Sequence, residues 1–282
     1  MKIINTVADM KSIAKTNRRG AVFTMGALHA GHRALIEQCR SLIGDQGQLV
    51  VSVFVNPTQF TNQNDLLKYP RTIESDIQLC ESAGVDYLFV PSVDEMYPSG
   101  VTLPQLTAGN LGTILEGASR PGHFDAVATV VHRLLDITTP DVTCFGEKDY
   151  QQLAVVRAMV KAHHMKCDVV GVATVRDYDG LALSSRNVRL TTEQRAAAVC
   201  IPRALEECAR IVEATGDTAD AIDAGIRVIS AEKSAVLDYF EIRSTELAQS
   251  PQSGEARALV AVSFGDVRLI DNYPVNIGRV QS

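Results

Sequence analysis

Two histidines at the start of a predicted helix are the residues of this chain best placed to do chemistry. His29 and His32 belong to the stretch Thr24–His32, TMGALHAGH, which joins a short apolar run to a segment with helical apolar spacing. At such a junction, unpaired backbone N–H groups and the positive helix end suit a phosphate. The histidines add donors for phosphate oxygens, and Gly26 and Gly31 let the backbone approach a ligand closely. The pattern indicates a nucleotide site.

The same two histidines also fit a purely structural role. In that interpretation His29 caps or packs the junction, and His32 is a solvated residue of the first helical turn. The H-x-G-H pattern fixes few positions, so it also occurs by chance. The surrounding sequence has to decide between a nucleotide site and a structural role.

Amide side chains follow the next apolar run. Leu49–Val55 lacks polar alternation and is followed by Asn56 and Gln59. Polar groups at the carboxyl ends of parallel strands face the ligand crevice. An amide can donate to a carboxylate and accept from a hydroxyl, which suits a hydroxy acid. The alternative is an Asn-Pro turn with solvated amides.

A third junction repeats the arrangement with charged residues. Gly146, Glu147, Lys148 and Asp149 follow an apolar run and precede a helix that carries Gln152. Lys148 offers a point charge for phosphate, Asp149 an acceptor for ribose hydroxyls, and Gln152 a second amide one turn onward. The alternative is a surface loop with a Lys–Asp ion pair.

Two loops carry weaker signals. The serines and the guanidinium of Leu183, Ser184, Ser185 and Arg186 could clamp a triphosphate, or form a solvated loop. Residues 116–124, EGASRPGHF, form a glycine-rich segment with basic groups, for which mobility is expected.

Two candidate metal sites are weighed and set aside. Asp76 could help hold magnesium, but an acidic residue in the first turn of a helix needs no such explanation. His163, His164 and Cys167 suggest zinc, yet they lie at a predicted helix end where histidines are favourable, and no fourth ligand has fitting spacing.

Apolar runs that alternate with helical patterns must position these residues. The predicted strands are Ala21–Thr24, Leu49–Val55, Tyr87–Val90, Val142–Phe145 and Val169–Val175. Alternation of this kind predicts a parallel α/β sheet with helices on both faces. We therefore expect a Rossmann-like domain over residues 1–175 that binds the nucleotide and the acid.

A second, smaller α+β domain is expected over residues 176–282, as a lid or a dimerisation domain. A polar loop leads to a long helix that starts near Thr191 or Thr192, either of which could be its N-cap. Val236–Ile242 and Ala258–Ile270 alternate as β-strands do.

Composition excludes several classes of protein. With 282 residues, 46% of them hydrophobic, 21% charged and a net charge of −6, the chain is neither disordered nor a general nucleic-acid binder. The six cysteines include no C-x-x-C pair and read as reduced core residues. The longest apolar strand is far too short to cross a bilayer, so no membrane partner and a cytoplasmic location are expected.

Six motifs together resemble the pantoate–β-alanine ligase (pantothenate synthetase) family. They are TMGALHAGH, FVNPTQF, YPRT, EGASRPGHF, CFGEKDYQQL and DGLALSSRN, in this order. The resemblance covers nearly all of residues 20–190, and GDVRLIDN, residues 265–272, resembles the family's final strand. Arg189 stands where the family leads us to expect an aromatic residue, which puts no assigned role in doubt.

The resemblance implies a Rossmann-like nucleotidyltransferase core, a homodimer, and ATP with Mg²⁺. It also implies synthesis of pantothenate from pantoate and β-alanine through pantoyl adenylate. His32 would be the catalytic proton donor, with His29 beside it, and Gln59 and Gln152 would hold pantoate, Gln59 also lying near β-alanine. The implied ATP contacts are Met25, Gly26, Ala27, Leu28, His29, Ala30, Gly31, His32, Gly146, Glu147, Lys148, Asp149, the Val175 backbone, Leu183, Ser184, Ser185 and Arg186.

Two other functions are considered. A different H-x-G-H nucleotidyltransferase would keep a dinucleotide product instead of releasing AMP. A nucleotide-sensing protein that has lost catalysis would lack a motif residue, and none is missing.

Overall fold

A computed structural model of the chain describes residues 1–60, 63–101 and 104–278. It divides into two compact units. The first comprises Met1–Glu147 and Gln151–Ala173, and the second comprises Lys148–Tyr150 and Thr174–Ser282. Each unit has its own sheet and its own apolar core.

The first unit is built on a six-stranded parallel sheet. Its strands are β1 (Lys2–Ile4), β2 (Arg19–Thr24), β3 (Gln48–Val53), β4 (Tyr87–Phe89), β5 (Val142–Gly146) and β6 (Asp168–Val172). Their order is β1-β4-β3-β2-β5-β6, so β2 lies between β3 and β5. The predicted parallel α/β sheet is confirmed, and only β1 has no counterpart among the predicted strands.

Helices connect these strands. They are α1 (Val7–Ser12), α2 (Ala30–Ile43), α3 (Gln63–Leu67), α4 (Ile73–Ser82), α5 (Val93–Met96), α6 (Glu116–Ser119), α7 (His123–Thr138) and α8 (Tyr150–Ala162). Short 3-10 helices cover Pro57–Gln59, Gly109–Gly112 and Glu147–Asp149.

Apolar side chains cover both faces of the sheet. Leu49 and Val51 join a cluster with Ile36 and Cys39 of α2, whereas Val50 joins the cluster that contains α7. The lack of polar alternation in β3 therefore has the expected cause, because alternate residues enter different cores.

The second unit combines a three-stranded antiparallel sheet with helices. Its elements are a 3-10 helix (Asn187–Arg189), α9 (Thr192–Ala197), α10 (Cys200–Thr215), α11 (Thr218–Ser230), β7 (Ala235–Ser244), β8 (Gly254–Phe264) and β9 (Val267–Ile277). The strand order is β7-β8-β9. Its core joins one side of α10 to alternate residues of β8 and β9.

Two predicted elements of this unit are divided in the structure. Thr191 caps α9 in a capping box with Gln194, as expected, but the predicted long helix is interrupted between α9 and α10. The predicted strand Ala258–Ile270 spans a hairpin in which β8 ends and β9 begins. Gly265, with φ of +61°, forms the turn, because it adopts the left-handed region without steric cost.

Candidate active site

Three neighbouring strands bring the predicted ligand residues of the first unit to one edge of its sheet. β3, β2 and β5 are parallel and adjacent, so their carboxyl ends meet there. Met25–His32 follows β2, Asn56 and Gln59 follow β3, and Gly146 ends β5. The carboxyl edge of a parallel sheet, where strand order reverses, is the usual ligand site of this architecture.

A buried carboxylate holds the loop that precedes the histidines. Asp76, 1% exposed, accepts hydrogen bonds from the Leu28 N–H at 2.8 Å and the Ala27 N–H at 3.1 Å. Gly26 and Ala27 have φ of +82° and +52°, and the left-handed conformation costs Ala27 about 1–2 kcal/mol. The two charge-assisted bonds offset that cost, so Asp76 fixes the backbone path of the loop.

The sequence did not show this role of Asp76. Its position in the first turn of α4 is as expected, but its burial and its bonds to a loop 48 and 49 residues away were not predicted. The hydroxyl of Thr72 also donates to Asp76, at 3.2 Å.

Backbone N–H groups fix the tautomers of both histidines. His29 is the N-cap of α2, and its Nδ1 accepts from the Gly31 N–H at 3.1 Å. The Nδ1 of His32 accepts from the His29 N–H at 3.2 Å. Since each Nδ1 lone pair is used, each neutral ring carries its proton on Nε2. The ring centroids are 4.2 Å apart, so two imidazole N–H donors stand side by side.

His29 therefore has the capping role of the structural alternative. The same hydrogen bond to Nδ1 also makes Nε2 the donor atom of the ring. Gly31 has a steric reason as well. A Cβ at Gly31 would lie 2.9 Å from Cε1 of His29, because that ring folds over the first turn. This contact explains the glycine of the motif without reference to a ligand.

Asn56 caps the turn that carries Gln59. Its Oδ1 accepts from the Thr58 N–H and hydroxyl and from the Tyr97 hydroxyl at 3.0 Å. Burial raises the pKa of Tyr97, so the phenol remains a donor. Asn56 is 1% exposed, and among the described residues its Nδ2 has no hydrogen-bond partner. A buried amide of this kind presents an unused donor to a ligand.

Two residues of the EGASRPGHF segment hold the backbone of Gln59. The Gln59 carbonyl lies 2.8 Å from Nδ1 of His123 and accepts from Arg120 Nη2 at 3.2 Å. Arg120 Nη1 lies 3.2 Å from His123 Nε2. Because arginine only donates, His123 Nε2 is the acceptor and its Nδ1 carries the proton toward Gln59. The Gln59 side chain is thereby attached to a fixed, buried backbone.

Adjacent glutamines at the start of α8 have different surroundings. The Gln151 amide is buried and bonds to the carbonyls of Leu111 and Ile114 and to the N–H of Glu116. It therefore shapes the segment before α6. Gln152, which was expected to bind the acid, is half-buried, so its side chain retains some access to solvent.

Lys148 and Asp149 belong to the second unit by their contacts. Lys148 Nζ lies 3.7 Å from Asp149 Oδ1, but the lysine side chain is only 16% exposed. The ion pair of the alternative interpretation is therefore present, between a largely buried lysine and a half-exposed aspartate. The Lys148 carbonyl accepts a hydrogen bond from Asn272 Nδ2 at 2.9 Å.

The remaining expected ATP contacts form a folded loop in the second unit. The Val175 carbonyl accepts from the Leu183 N–H at 3.0 Å, which brings the two ends of the loop together. Ser184 Oγ accepts from the Arg186 N–H at 3.3 Å. Asn187, which was not among the expected site residues, donates to the Ala182 carbonyl and completes the turn.

The remaining candidates from the sequence are the possible metal ligand His163 and the cysteines. The His163 ring contacts that of His132, and no group of three His, Cys, Asp or Glu residues in the described ranges is arranged to hold a metal ion. Burial raises the pKa of Cys80 and Cys208 to about 12, so these thiols stay protonated. No helix among the described residues is long and apolar enough to span a membrane.

Comparison with known proteins relates this chain to one family. The family profile named pantoate-beta-alanine ligase matches residues 2–274. A pantothenate synthetase from Akkermansia muciniphila is 47% identical over 279 residues, which cover 96% of this chain and 99% of that protein.

Solved structures agree with the sequence match. The crystal structure of pantothenate synthetase from Thermus thermophilus has a TM-score of 0.91 and 45% identity, covering 97% of this chain and 99% of that one. The pantoate-beta-alanine ligase from Francisella tularensis, complexed with beta-gamma ATP and beta-alanine, has a TM-score of 0.78 and 36% identity, covering 97% of both chains.

Proposed function

The chain belongs to the pantoate–β-alanine ligase family, and from that premise we propose how its own residues make the amide bond. The enzyme condenses pantoate with β-alanine at the expense of ATP, and it releases pantothenate, AMP and pyrophosphate through a pantoyl-adenylate intermediate.

We propose that His29 and His32 stabilise charge on the α-phosphate. A pantoate carboxylate oxygen attacks the α-phosphorus, and the bond from that phosphorus to the oxygen bridging to the β-phosphorus breaks, releasing pyrophosphate. Because this carboxylate is already ionised at neutral pH, the step needs charge stabilisation more than a general base. The observation that carries this proposal is the backbone N–H bond that Nδ1 of each ring accepts, which leaves Nε2–H as the donor of the neutral ring. His32 is the donor of this proposal: it offers its Nε2–H as a hydrogen bond to a phosphate oxygen on which negative charge develops, and the ring stays neutral.

We propose that Gln59, Gln152 and Asn56 bind pantoate. The clamped backbone of Gln59 and the unused Nδ2 donor of Asn56 support this assignment. A hydroxy acid presents a carboxylate, to which an amide NH₂ can donate, and a hydroxyl, from which an amide oxygen can accept. In the second step the neutral amine of β-alanine attacks the acyl carbon, AMP leaves with the bridging oxygen, and the amine nitrogen loses one proton to solvent.

The triphosphate is assigned to cationic groups. Lys148 and Arg186 supply positive charge, and Ser184 and Ser185 supply hydroxyls. Magnesium would be held mainly by the phosphates of ATP and would supply positive charge beside Lys148 and Arg186. The Met25–Ala30 backbone, Gly31, Gly146, Glu147, Asp149, Val175 and Leu183 complete the proposed ATP contacts.

Three further proposals concern the whole molecule. Residues 176–282 act as a lid that excludes water from the adenylate, which is prone to hydrolysis. The enzyme is a homodimer, as the family resemblance implies. It works in the cytoplasm, where the six free thiols would stay reduced.

The test is pantoate-dependent exchange of labelled pyrophosphate into ATP with β-alanine withheld. We expect exchange under these conditions, because the two half-reactions are separable, and we expect AMP only after β-alanine is added. A strict requirement of exchange for β-alanine would contradict the two-step mechanism.

A further inference from the structure

The turn Lys148–Tyr150 lies between β5 and α8 of the first unit, yet its contacts place it in the second. Its attachment to strand β9 and to strand β8 is specific. Asn272 of β9 binds the Lys148 carbonyl, and Arg257 of β8 stacks on Tyr150 with its guanidinium carbon 4.1 Å from the ring centroid.

Two hydrogen bonds of the Asn272 side chain define its orientation. Arg257 Nη1 donates to Oδ1 at 3.0 Å, and Nδ2 donates to the Lys148 carbonyl at 2.9 Å. Arginine has no acceptor and a carbonyl has no donor, so a flipped amide would lose both bonds. Asn272 is 3% exposed, which makes an unpaired partner costly.

A buried ion pair fixes the backbone beneath this amide. Arg176 binds both carboxylate oxygens of Asp271, at 2.6 and 3.0 Å, and also donates to the Asn272 carbonyl. The Asn272 N–H donates to Asp271 at 2.8 Å. Burial raises the pKa of Asp271, whereas Arg176 and Lys148 favour its charged form. The Asn272 side chain therefore projects from a well-held position.

The second attachment of the turn is the Tyr150 hydroxyl. It donates to the Thr245 carbonyl at 3.0 Å, just beyond the end of β7. The turn that carries the lysine thus ends at a residue that is held by both stacking and a hydrogen bond.

We propose that Asn272 is a positioning residue for Lys148: its amide ties the lysine backbone to β9 and so sets where the ammonium group meets the ATP phosphates. The inference rests on the proposed role of Lys148 toward ATP. Asn272 itself does not touch the substrate in this account. It acts through Lys148, and its loss weakens the binding of ATP more than the binding of pantoate.

The experiment compares Asn272→Asp with Asn276→Ala, an exposed position on the same strand. Aspartate keeps an acceptor for Arg257 but replaces the donor to Lys148 with an oxygen. We expect calorimetry to show about three- to tenfold weaker binding of ATP, and a change of less than about twofold for pantoate. Asn276→Ala should leave both affinities and the thermal unfolding midpoint unchanged.

A double-variant cycle with Lys148→Ala distinguishes positioning from general damage. The effect of Asn272→Asp on ATP affinity should largely disappear when Lys148 is already alanine. An effect that persists in full there would overturn the inference. So would unchanged ATP affinity in Asn272→Asp when Lys148→Ala weakens it.

If Lys148→Ala itself leaves ATP affinity unchanged, the proposed role of Lys148 has failed, and the positioning role falls with it. If Asn272→Asp does not fold, Asn272→Ala replaces it, because alanine also removes the donor to the Lys148 carbonyl and adds no charge. A loss of ATP affinity that depends on Lys148 supports the inference, and no loss overturns it.

Discussion

Replacement of Asp76 by asparagine should loosen the loop that leads to His29 and His32, the proposed catalytic residues. The carboxylate holds the N–H groups of Ala27 and Leu28 at 3.1 and 2.8 Å, and it is buried. Asparagine keeps one neutral acceptor oxygen, and its NH₂ group faces the other N–H. Loss of a charged acceptor and exposure of an unpaired donor together cost about 2–3 kcal/mol.

This cost predicts faster local opening of the loop. The amide hydrogens of Ala27 and Leu28 should exchange with solvent about thirty- to 150-fold faster in Asp76→Asn. Mass spectrometry of a peptide that spans residues 25–32 measures the exchange. ATP affinity should fall in the same variant, because the loop sets the position of His29.

The matched control is Glu74→Gln, an exposed acidic residue in the first turn of the same helix. Both changes remove a favourable charge at the helix N-terminus, worth about 0.3–1 kcal/mol, so their difference isolates the bonds to the loop. Equal exchange rates and equal ATP affinities in Asp76→Asn and Glu74→Gln would refute the role assigned to Asp76.

Three further predictions concern the site and the assembly. His32→Ala and His29→Ala should each slow adenylation in single-turnover measurements by about a hundredfold or more, while circular dichroism stays normal; unchanged rates in both would leave only the structural role. Gln59→Ala and Gln152→Ala should weaken pantoate binding about ten- to a hundredfold and ATP binding far less. Lys148→Ala should weaken ATP binding more than pantoate binding. Equal losses of affinity for both ligands in the glutamine variants would show that the acid pocket lies elsewhere. Light scattering should give a dimer, and a mass near 30.5 kDa at micromolar concentration would refute it.

Local patterns in the sequence predict much of the fold. The apolar runs of β2, β3, β4, β5 and β6 are visible because both faces of a parallel sheet are buried. The Thr191 cap of α9 is visible because capping depends on a few adjacent residues. β1 was missed, since it has three residues and is largely exposed.

Long-range contacts explain what the sequence could not show. Gln151 and Gln152 are adjacent and alike in type, yet only the fold shows that Gln151 is used to bind the loop before α6. The clamp on Gln59 comes from His123, 64 residues away. The attachment of Lys148 to Asn272 spans 124 residues. Residue types and local spacing contain no information about such partners.

The fate of the pantoate carboxylate oxygens tests the two-step mechanism most directly. Pantoate that carries a heavy-oxygen label in its carboxylate is converted with ATP and β-alanine, and the products are analysed by mass spectrometry. Attack of the carboxylate on the α-phosphorus, followed by amine attack on the acyl carbon, predicts one labelled oxygen in AMP and none in pyrophosphate. Unlabelled AMP, or label in pyrophosphate, would contradict the adenylate mechanism.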